Sequence, residues 1–164
     1  MRRRISLVVR KRRRAEARMA PWAKKGSKSY FGYKLHTKLD MEHGLIRELE
    51  TTTASVHDSQ VDLSKKGEVV YRDCGYHGAV AKGYSATTKR GARDHPLGIM
   101  DKLRNLRISK KRAHVERHYA VIKLVFKAGH VLVTTVSRVN VKMIFTAFCF
   151  DLYQLVTLRK KGVV

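Results

Sequence analysis

The chain has 164 residues, 43% of them hydrophobic, which suffices for one domain with a sizeable core and hardly for two. Its 36 Lys and Arg residues against 13 Asp and Glu residues give a formal charge of +23, which predicts a polyanionic partner. Nucleic acid is favoured over an anionic membrane, because the basic residues run through the whole chain rather than along one amphipathic helix. The two cysteines are far apart and indicate neither a zinc ribbon nor a disulfide framework, so a reducing cytoplasm fits.

The N-terminal residues are typical of a basic arm. Residues 10–14 form a dense charge run, and the apolar run Ile5–Val9 is too short for a signal peptide, although it could form one strand. The segment PWAKKGSKS that follows has the composition of a linker, and its Trp22 is expected to cap the edge of the core. The sequence therefore predicts a disordered arm over residues 1–21 and a domain over residues 22–160.

Two neighbouring segments show strand patterns. Apolar and polar residues alternate over Tyr33–Leu39, and LIRELETTTAS, rich in β-branched residues, follows a turn at Gly44. The pair predicts a β-hairpin. The next segment, VHDSQVDLSKKG, predicts a short helix that is capped by Asp58 and ends at Gly67. Asp40, just before the hairpin turn, and Asp58 are both interpreted as structural acids.

A compact strand, EVVYRD, ends on Asp73 just before a glycine. Residues 76–82 are expected to form a short helix, and YSATTKRG another strand. The proline of DHPLG makes that segment a loop. This part of the chain therefore places one isolated carboxylate at the end of an apolar strand.

A long helix is predicted from Ile99 to Lys127, with room for a break near Ser109 and a stop at Gly129. At about 100° per residue, five of its residues share one arc of roughly 80°: Ser109, Arg112, Glu116, Tyr119 and Lys123. Three apolar residues lie beside that arc and would pack on the core: Val115, Ile122 and Phe126. Glu116 is thus expected at the border between a buried stripe and a cationic stripe.

A lone glutamate among cations is usually a solvated surface ion pair of little energy. Asp73 suggests another role for Glu116, because carboxylates from a strand end and a helix face are what a divalent metal needs for phosphoryl chemistry. His57 is interpreted as a histidine of the capping loop. His114 and His118 flank Glu116 in sequence, and a phosphate contact by one of them has only weak support.

The C-terminal part combines a short β-like run, VLVTTV, with an apolar helix over residues 138–158. That helix is long enough to raise a transmembrane interpretation. Lys142, Asp151 and Gln154 interrupt it, and an ionisable group near a bilayer centre is costly. The sequence therefore predicts a helix buried against the sheet.

The predicted order is hairpin, helix, strand ending in Asp, helix or strand, and long helix carrying Glu, which is the order of the RNase H-like fold after its first strand. Four motifs in this order resemble the catalytic domain of DDE transposases from bacterial and archaeal insertion sequences: KKGSKSYFGYKLHTKLD, TTTASVHDSQ, VVYRDCGY and RAHVERHYAVIK. The resemblance covers Trp22 to Leu158. It implies an α/β fold with an RNase H-like mixed sheet flanked by helices.

The resemblance also implies roles for single residues. The second catalytic acid of the family maps onto Asp73 through D-x-G-Y, and the third maps onto Glu116 through R-x3-E-x6-K. Arg112 and Lys123 of the latter motif are expected to contact DNA phosphates. The implied activity is cleavage and strand transfer at insertion-sequence ends with Mg²⁺ or Mn²⁺ held by carboxylates, Asp73 and Glu116 among them. Further phosphate contacts are expected from basic residues outside the helix: Lys24, Lys25, Lys89 and Arg90.

The chain departs from the family pattern at three places. Ser109 stands where part of the family has tyrosine, and Cys74 stands where lysine is common. The first acid of the family is missing, since no Asp or Glu precedes Glu16. We therefore expect a truncated fold without a normal first strand, weak metal binding and little strand transfer from this chain alone. The alternative is a non-catalytic basic nucleic-acid-binding protein whose acids only cap helices or form ion pairs.

The expected partner is DNA, both transposon ends and target, in the cytoplasm at the nucleoid. No membrane partner is expected, and a homodimer is compatible with the resemblance. Because phosphate contacts do not read bases, we expect DNA binding with a steep salt dependence and little sequence preference.

Overall fold

A computed structural model describes residues 22–76 and 78–163 of the chain, so the predicted basic arm and its Ile5–Val9 strand lie outside the described residues. The described part forms six strands and two long helices, namely β1 (Trp22–Lys25), β2 (Lys28–Phe31), β3 (Tyr33–Leu39), β4 (Ile46–Thr53), β5 (Val69–Arg72), β6 (Tyr84–Thr87), α1 (Ile99–Leu124) and α2 (Val136–Lys160). Two short 3-10 turns span Asp58–Gln60 and Cys74–Tyr76.

The strands pair two by two. β1 with β2 and β3 with β4 are antiparallel, whereas β5 with β6 is parallel. Among the residues that the structure describes, these pairs are three separate sheets rather than one mixed sheet. The α/β class is confirmed, and the joining of the strands into an RNase H-like sheet stays a prediction.

The predicted linker at the start of the domain is wrong, because its residues form the β1–β2 hairpin. Gly26 has a φ of 63° and so provides the turn between the strands. Trp22 is 55% exposed and packs edge-on against Phe31, at 5.3 Å between ring centroids. Trp22 therefore pairs with its cross-strand neighbour in this hairpin instead of capping the core.

The predicted β3–β4 hairpin is confirmed, and its turn depends on Asp40. The Asp40 carboxylate accepts hydrogen bonds from the backbone N–H groups of His43, at 2.6 Å, and Gly44, at 2.9 Å. Burial works to raise the pKa of Asp40, but these two bonds and the charge of Arg47 lower it below its ordinary value. Asp40 is a turn residue, as expected from the sequence.

The helix predicted for VHDSQVDLSKKG is wrong, since only the 3-10 turn Asp58–Gln60 forms there. Its cap is His57, whose Nδ1 accepts a hydrogen bond from the backbone N–H of Ser59 at 3.2 Å, and not Asp58. The segment stays extended because Asp62 accepts a hydrogen bond from the backbone N–H of Lys82 at 3.0 Å, 20 residues away. In a helix, the Asp62 side chain would point away from the backbone of Lys82.

Two further short elements differ from expectation. The helix predicted over residues 76–82 does not form in its described part: Tyr76 ends the Cys74–Tyr76 turn, and residues 78–82 are irregular, with Lys82 and Gly83 donating their backbone N–H groups to the Ser64 side chain. The β-like run VLVTTV forms no strand. The two predicted strands are confirmed as β5, which ends at Arg72, one residue before Asp73, and β6, which begins at Tyr84 and ends at Thr87.

The two long helices are confirmed, and α1 runs past Ser109 without a break. Their inner faces meet in the core around Ile122, Val139 and Phe150. α2 is tied to the β3–β4 hairpin by the Asp151 carboxylate, which accepts from the Ile46 N–H at 2.8 Å. By length and composition alone α2 could cross a membrane, although one face packs on the core.

Candidate functional site

A cleft of about 700 Å³ opens between the β3–β4 hairpin, the end of β5 and the middle of α1. Asp73 and Arg112 line it together, and Tyr76 and Tyr119 belong to the same wall. We call it the strand-end cleft. It is the candidate site because it joins a predicted catalytic acid and a predicted phosphate-binding arginine.

The strand that delivers Asp73 is fixed by the residue before it. Arg72 is buried, forms an ion pair with Asp62 and lies over the ring of Tyr76, at 5.4 Å from its centroid. Burial works to raise the pKa of Asp62, but hydrogen bonds from Ser64 and the Lys82 N–H, and then the charge of Arg72, lower it to about 2. Asp62 is therefore a permanent anion that neutralises the buried guanidinium.

Asp73 directly follows β5 and lines the cleft, where its side chain is 56% exposed. One carboxylate oxygen, Oδ1, accepts a hydrogen bond from the Cys74 N–H at 2.7 Å and lies 3.5 Å from Nη1 of Arg112. The structure thus brings together two of the predicted site residues, one directly after β5 and one on α1.

Tyr119 holds α1 in place over this cleft. Its hydroxyl donates to the carbonyl of Leu35 at 3.0 Å and accepts from the Thr37 hydroxyl at 3.1 Å. Burial raises the pKa of Tyr119 above its ordinary value, so the phenol stays protonated and able to donate. Arg112 and Tyr119 lie two turns apart, and their contacts fix both the position and the rotation of the helix.

Glu116 lies one turn beyond Arg112 on α1, about 6 Å along the axis. Its side chain is exposed, and it is not part of the wall of the strand-end cleft. Residues 22–76 and 78–163 contain no cluster of three or more His, Cys, Asp or Glu side chains arranged to hold a metal ion. The structure therefore places Asp73 and Glu116 near one segment of α1 without joining them in a formed metal site.

The predicted phosphate-binding residues lie on different surfaces. Lys123 is exposed near the end of α1, Lys24 is exposed on β1, and Lys25 belongs to the same strand. Lys89 forms an ion pair with Asp101 at 2.7 Å, so its charge is partly satisfied within the protein. Arg90, the last residue of this set, is exposed beside Lys89.

The sequence interpretation missed an ion pair beside the site. Lys34 on β3 binds the Asp58 carboxylate at 2.9 Å, and Asp58 lies against the turn that follows Asp73. Burial and then the charge of Asp58 raise the pKa of Tyr76 to about 12. Both residues of the pair fall in quoted motifs, but a contact across 24 residues leaves no local pattern.

The three histidines of interest have separate places. His57 caps its turn, as expected, and His114 is exposed on α1. His118 is 1% exposed and packs edge-on against Phe150, at 4.7 Å between ring centroids. Burial lowers the pKa of His118 to about 4. Because this residue lies in the core, it cannot contact a phosphate.

Known proteins resemble this chain in sequence. The model of a family described as a transposase DDE domain matches residues 8–152, beginning within the predicted basic arm. The transposase for insertion sequence element IS1106 of Neisseria meningitidis serogroup B is 27% identical over 145 residues, which cover 81% of this chain and 50% of the relative. The chain thus spans about half the length of that relative. No solved structure matches it. The family match and the relative confirm the resemblance carried by the four motifs.

Proposed function

Because the chain belongs to the transposase DDE domain family, we propose that it forms the part of a transposase that cuts DNA at insertion-sequence ends. The proposal includes an RNase H-like arrangement of the strands. The observation that carries it is the contact between Asp73 and Arg112, which brings the strand-end acid to the helix that bears Glu116.

Members of this family generally use divalent metal ions, and we infer that Asp73 and Glu116 hold Mg²⁺ or Mn²⁺. Carboxylate oxygens are the ligands that such hard cations prefer, so the donor chemistry of these two residues fits. A bound cation supplies Lewis-acid activation of the attacking and leaving oxygens of a phosphodiester. Two carboxylates make a weaker site than three, which is why we expect hydrolysis rather than efficient strand transfer.

Arg112 is the residue that links DNA binding to the acids. Its contact with Asp73 is long, at 3.5 Å, and Asp73 is more than half exposed, so the pair stabilises the fold very little. A DNA phosphate accepts stronger, bidentate hydrogen bonds from a guanidinium. Binding of DNA to Arg112 would then release the Asp73 carboxylate to take a cation, while Lys123, three turns farther along α1, binds another phosphate.

Nicking of supercoiled plasmid in Mn²⁺ at low salt tests the proposal. We expect the wild-type chain to nick the plasmid and both Asp73→Asn and Glu116→Gln to abolish nicking while DNA is still bound. Mn²⁺ binding, followed by electron paramagnetic resonance, should weaken in the same two variants. The matched control is Asp94→Asn, which removes an exposed carboxylate from the loop before α1 and should change neither measurement.

Two outcomes would overturn the proposal. Nicking that survives both substitutions would show that the chemistry does not use these acids. DNA binding without any nicking by the wild-type chain would identify a non-catalytic nucleic-acid-binding protein instead.

A further inference from the structure

A second cavity, of about 720 Å³, lies beside the strand-end cleft. One of its walls is the first half of α1, and the other is the β5–β6 pair. We call it the α1 groove. Tyr71 and Lys111 line both cavities, so the α1 groove continues the strand-end cleft toward the start of α1. Because Asp73 follows Tyr71 by two residues, the cavities meet about 7 Å along the chain from the candidate catalytic acid.

The floor of the α1 groove is apolar. Tyr71 and Ala86 of the two strands are partly buried, and Ile108 of the helix is 5% exposed. Met100 and Leu103 form a rim at the start of α1, where they are 79% and 45% exposed. Exposed apolar side chains that adjoin a cavity are typical of ligand-binding grooves. The α1 groove therefore offers a surface for the uncharged face of a ligand.

Cations border this apolar surface. Arg107, Lys110 and Lys111 are exposed and line the groove, and none of them forms an ion pair with another of the described residues. The one carboxylate that the described chain contributes to the lining, Asp101, is bound to Lys89 at 2.7 Å. The lining thus fits a ligand that has an anionic backbone and uncharged faces.

Hydrogen bonds fix the two walls of the α1 groove relative to each other. Arg104 donates from Nη1 to the carbonyl of Thr87, at 2.8 Å. The side chain of Asn105 accepts from the Lys89 N–H at 2.9 Å and donates to the Lys89 carbonyl at 2.8 Å. These bonds tie α1 to the end of β6. A cavity that is formed before binding costs less ordering entropy when a ligand enters it.

An unpaired stretch of DNA matches this lining better than a duplex does. Stacked base pairs present only their edges in the grooves of a duplex, so an apolar floor finds no base face to contact. In an unpaired strand the base faces are free to stack on apolar and aromatic side chains while cations follow the phosphates. A cavity of this size suits a small ligand, equivalent to about two nucleotides, and excludes a duplex. The formal charge of +23 favours such a polyanion over a peptide.

We propose that the α1 groove binds unpaired nucleotides next to the phosphodiester that lies in the strand-end cleft. Base faces pack on Tyr71 and Leu103, and phosphates lie along Arg107 and Lys111. The role of the groove in cleavage rests on the proposed function, because only a phosphodiester at Asp73 brings the neighbouring nucleotides there. The preference for unpaired bases itself requires neither metal nor cleavage.

Fluorescence anisotropy in EDTA tests the preference. The probe is a duplex with a single-stranded overhang of about four thymidines, at its 3′ end or its 5′ end. The matched probe has an abasic overhang of the same length, which keeps the phosphates and removes the bases. For at least one of the two ends, we expect the thymidine overhang to bind at least about 10-fold more tightly than the abasic one, which is what one stacked base supplies.

Variants at the rim test the place of binding. Leu103→Asp should remove the preference for thymidine, because a carboxylate replaces an apolar contact of the bases, whereas Leu103→Phe should retain it. The matched control is Leu106→Asp, because Leu106 is 54% exposed on the same helix outside the groove. Both aspartates add the same charge, so a general loss of attraction to DNA cancels in the ratio of the two affinities. Circular dichroism verifies that each variant folds.

Photo-cross-linking of the wild-type chain gives a second measurement of the place. With 4-thiothymidine in the overhang, the cross-linked peptides should contain Tyr71, Met100 or Leu103. Equal affinities for thymidine and abasic overhangs at both ends, a preference that survives Leu103→Asp, or cross-links confined to other surfaces would each overturn the inference. Plasmid nicking without the preference would overturn this inference and leave the proposed function standing. The preference without nicking would support binding in the α1 groove and overturn only the proposed cleavage.

Discussion

The two long helices share one core and present opposite surfaces. Between residues 109 and 124, α1 exposes four cations: Lys110, Lys111, Arg117 and Lys123. Between residues 141 and 156, α2 exposes only hydrophobic side chains. Their inner faces are alike, with Ile122 of α1 and Phe150 of α2 buried in the same cluster.

The difference separates what makes the fold from what selects a partner. Burial of apolar surface is favourable whichever helix supplies it, so the inner faces need only be apolar and of the right shape. The outer faces differ in how they respond to salt: phosphate contacts weaken steeply as counterions are added, whereas apolar association does not. Salt should therefore distinguish α1 from α2 as binding surfaces.

The largest expected effect lies within α2, between two phenylalanines two residues apart. Phe150→Ala should lower the free energy of unfolding by about 3–5 kcal/mol, because it leaves a cavity in the core. Phe148→Ala should cost less than about 1 kcal/mol, because that ring is exposed in the single chain. Urea unfolding at low protein concentration measures both. Equal losses would mean that Phe148 is buried to the same degree as Phe150 in the folded chain.

Much of the core arrangement could be predicted from the sequence. Period-2 alternation gave β3 and a 3.6-residue period gave the buried position of Ile122, because each pattern is local. The exposed apolar face of α2 escaped notice for the same reason: α2 is apolar on two sides, and composition alone does not tell which side meets the core. That choice is made by tertiary contacts such as the hydrogen bond from Ile46 to Asp151.

The candidate site was predictable only in its local parts. Asp73 at a strand end and Arg112 on a helix followed from motifs and spacing. Two ion pairs could not be predicted in this way. The Arg72–Asp62 pair joins residues 10 positions apart, and the Lys34–Asp58 pair joins residues 24 positions apart. Both contacts depend on the fold of the intervening segment. The hydrogen bond from Lys82 to Asp62 spans 20 positions and likewise leaves no local pattern, which is why the predicted helix after β4 was wrong.

The next effect concerns the junction of the two helices, where His118 of α1 packs on Phe150. The pKa of His118 is about 4 in the folded chain and 6.5 ordinarily. At a pH between these two values, only the unfolded chain gains a proton. Stability from the neutral ring is complete above the higher value and is lost as the pH falls toward the lower one, about 3 kcal/mol in total.

His118→Phe should remove this pH dependence. We expect urea unfolding of the wild-type chain to lose about 2 kcal/mol more than the variant between about pH 7.5 and about pH 5. At the higher pH the variant should be about as stable as the wild type, because neither ring nitrogen has a hydrogen-bond partner of good geometry in the described structure. Parallel pH profiles for the two proteins would show that the pKa of His118 is the same in the folded and the unfolded chain.

The smallest expected effect is on the outer surface of α1. Replacing the exposed Lys110 and Lys111 by glutamine should weaken DNA binding by about 1 kcal/mol per lost phosphate contact and reduce the slope of log K against log salt by about 0.9 for each. Arg138→Gln, at the start of α2, removes an equally exposed cation and serves as the control. Fluorescence anisotropy with two unrelated duplexes should show the same loss for both sequences, because these contacts reach only the backbone. If Arg138→Gln changed the slope as much as the α1 variants do, DNA would contact both helices, and the division of the surface into a phosphate-binding helix and an apolar helix would fail.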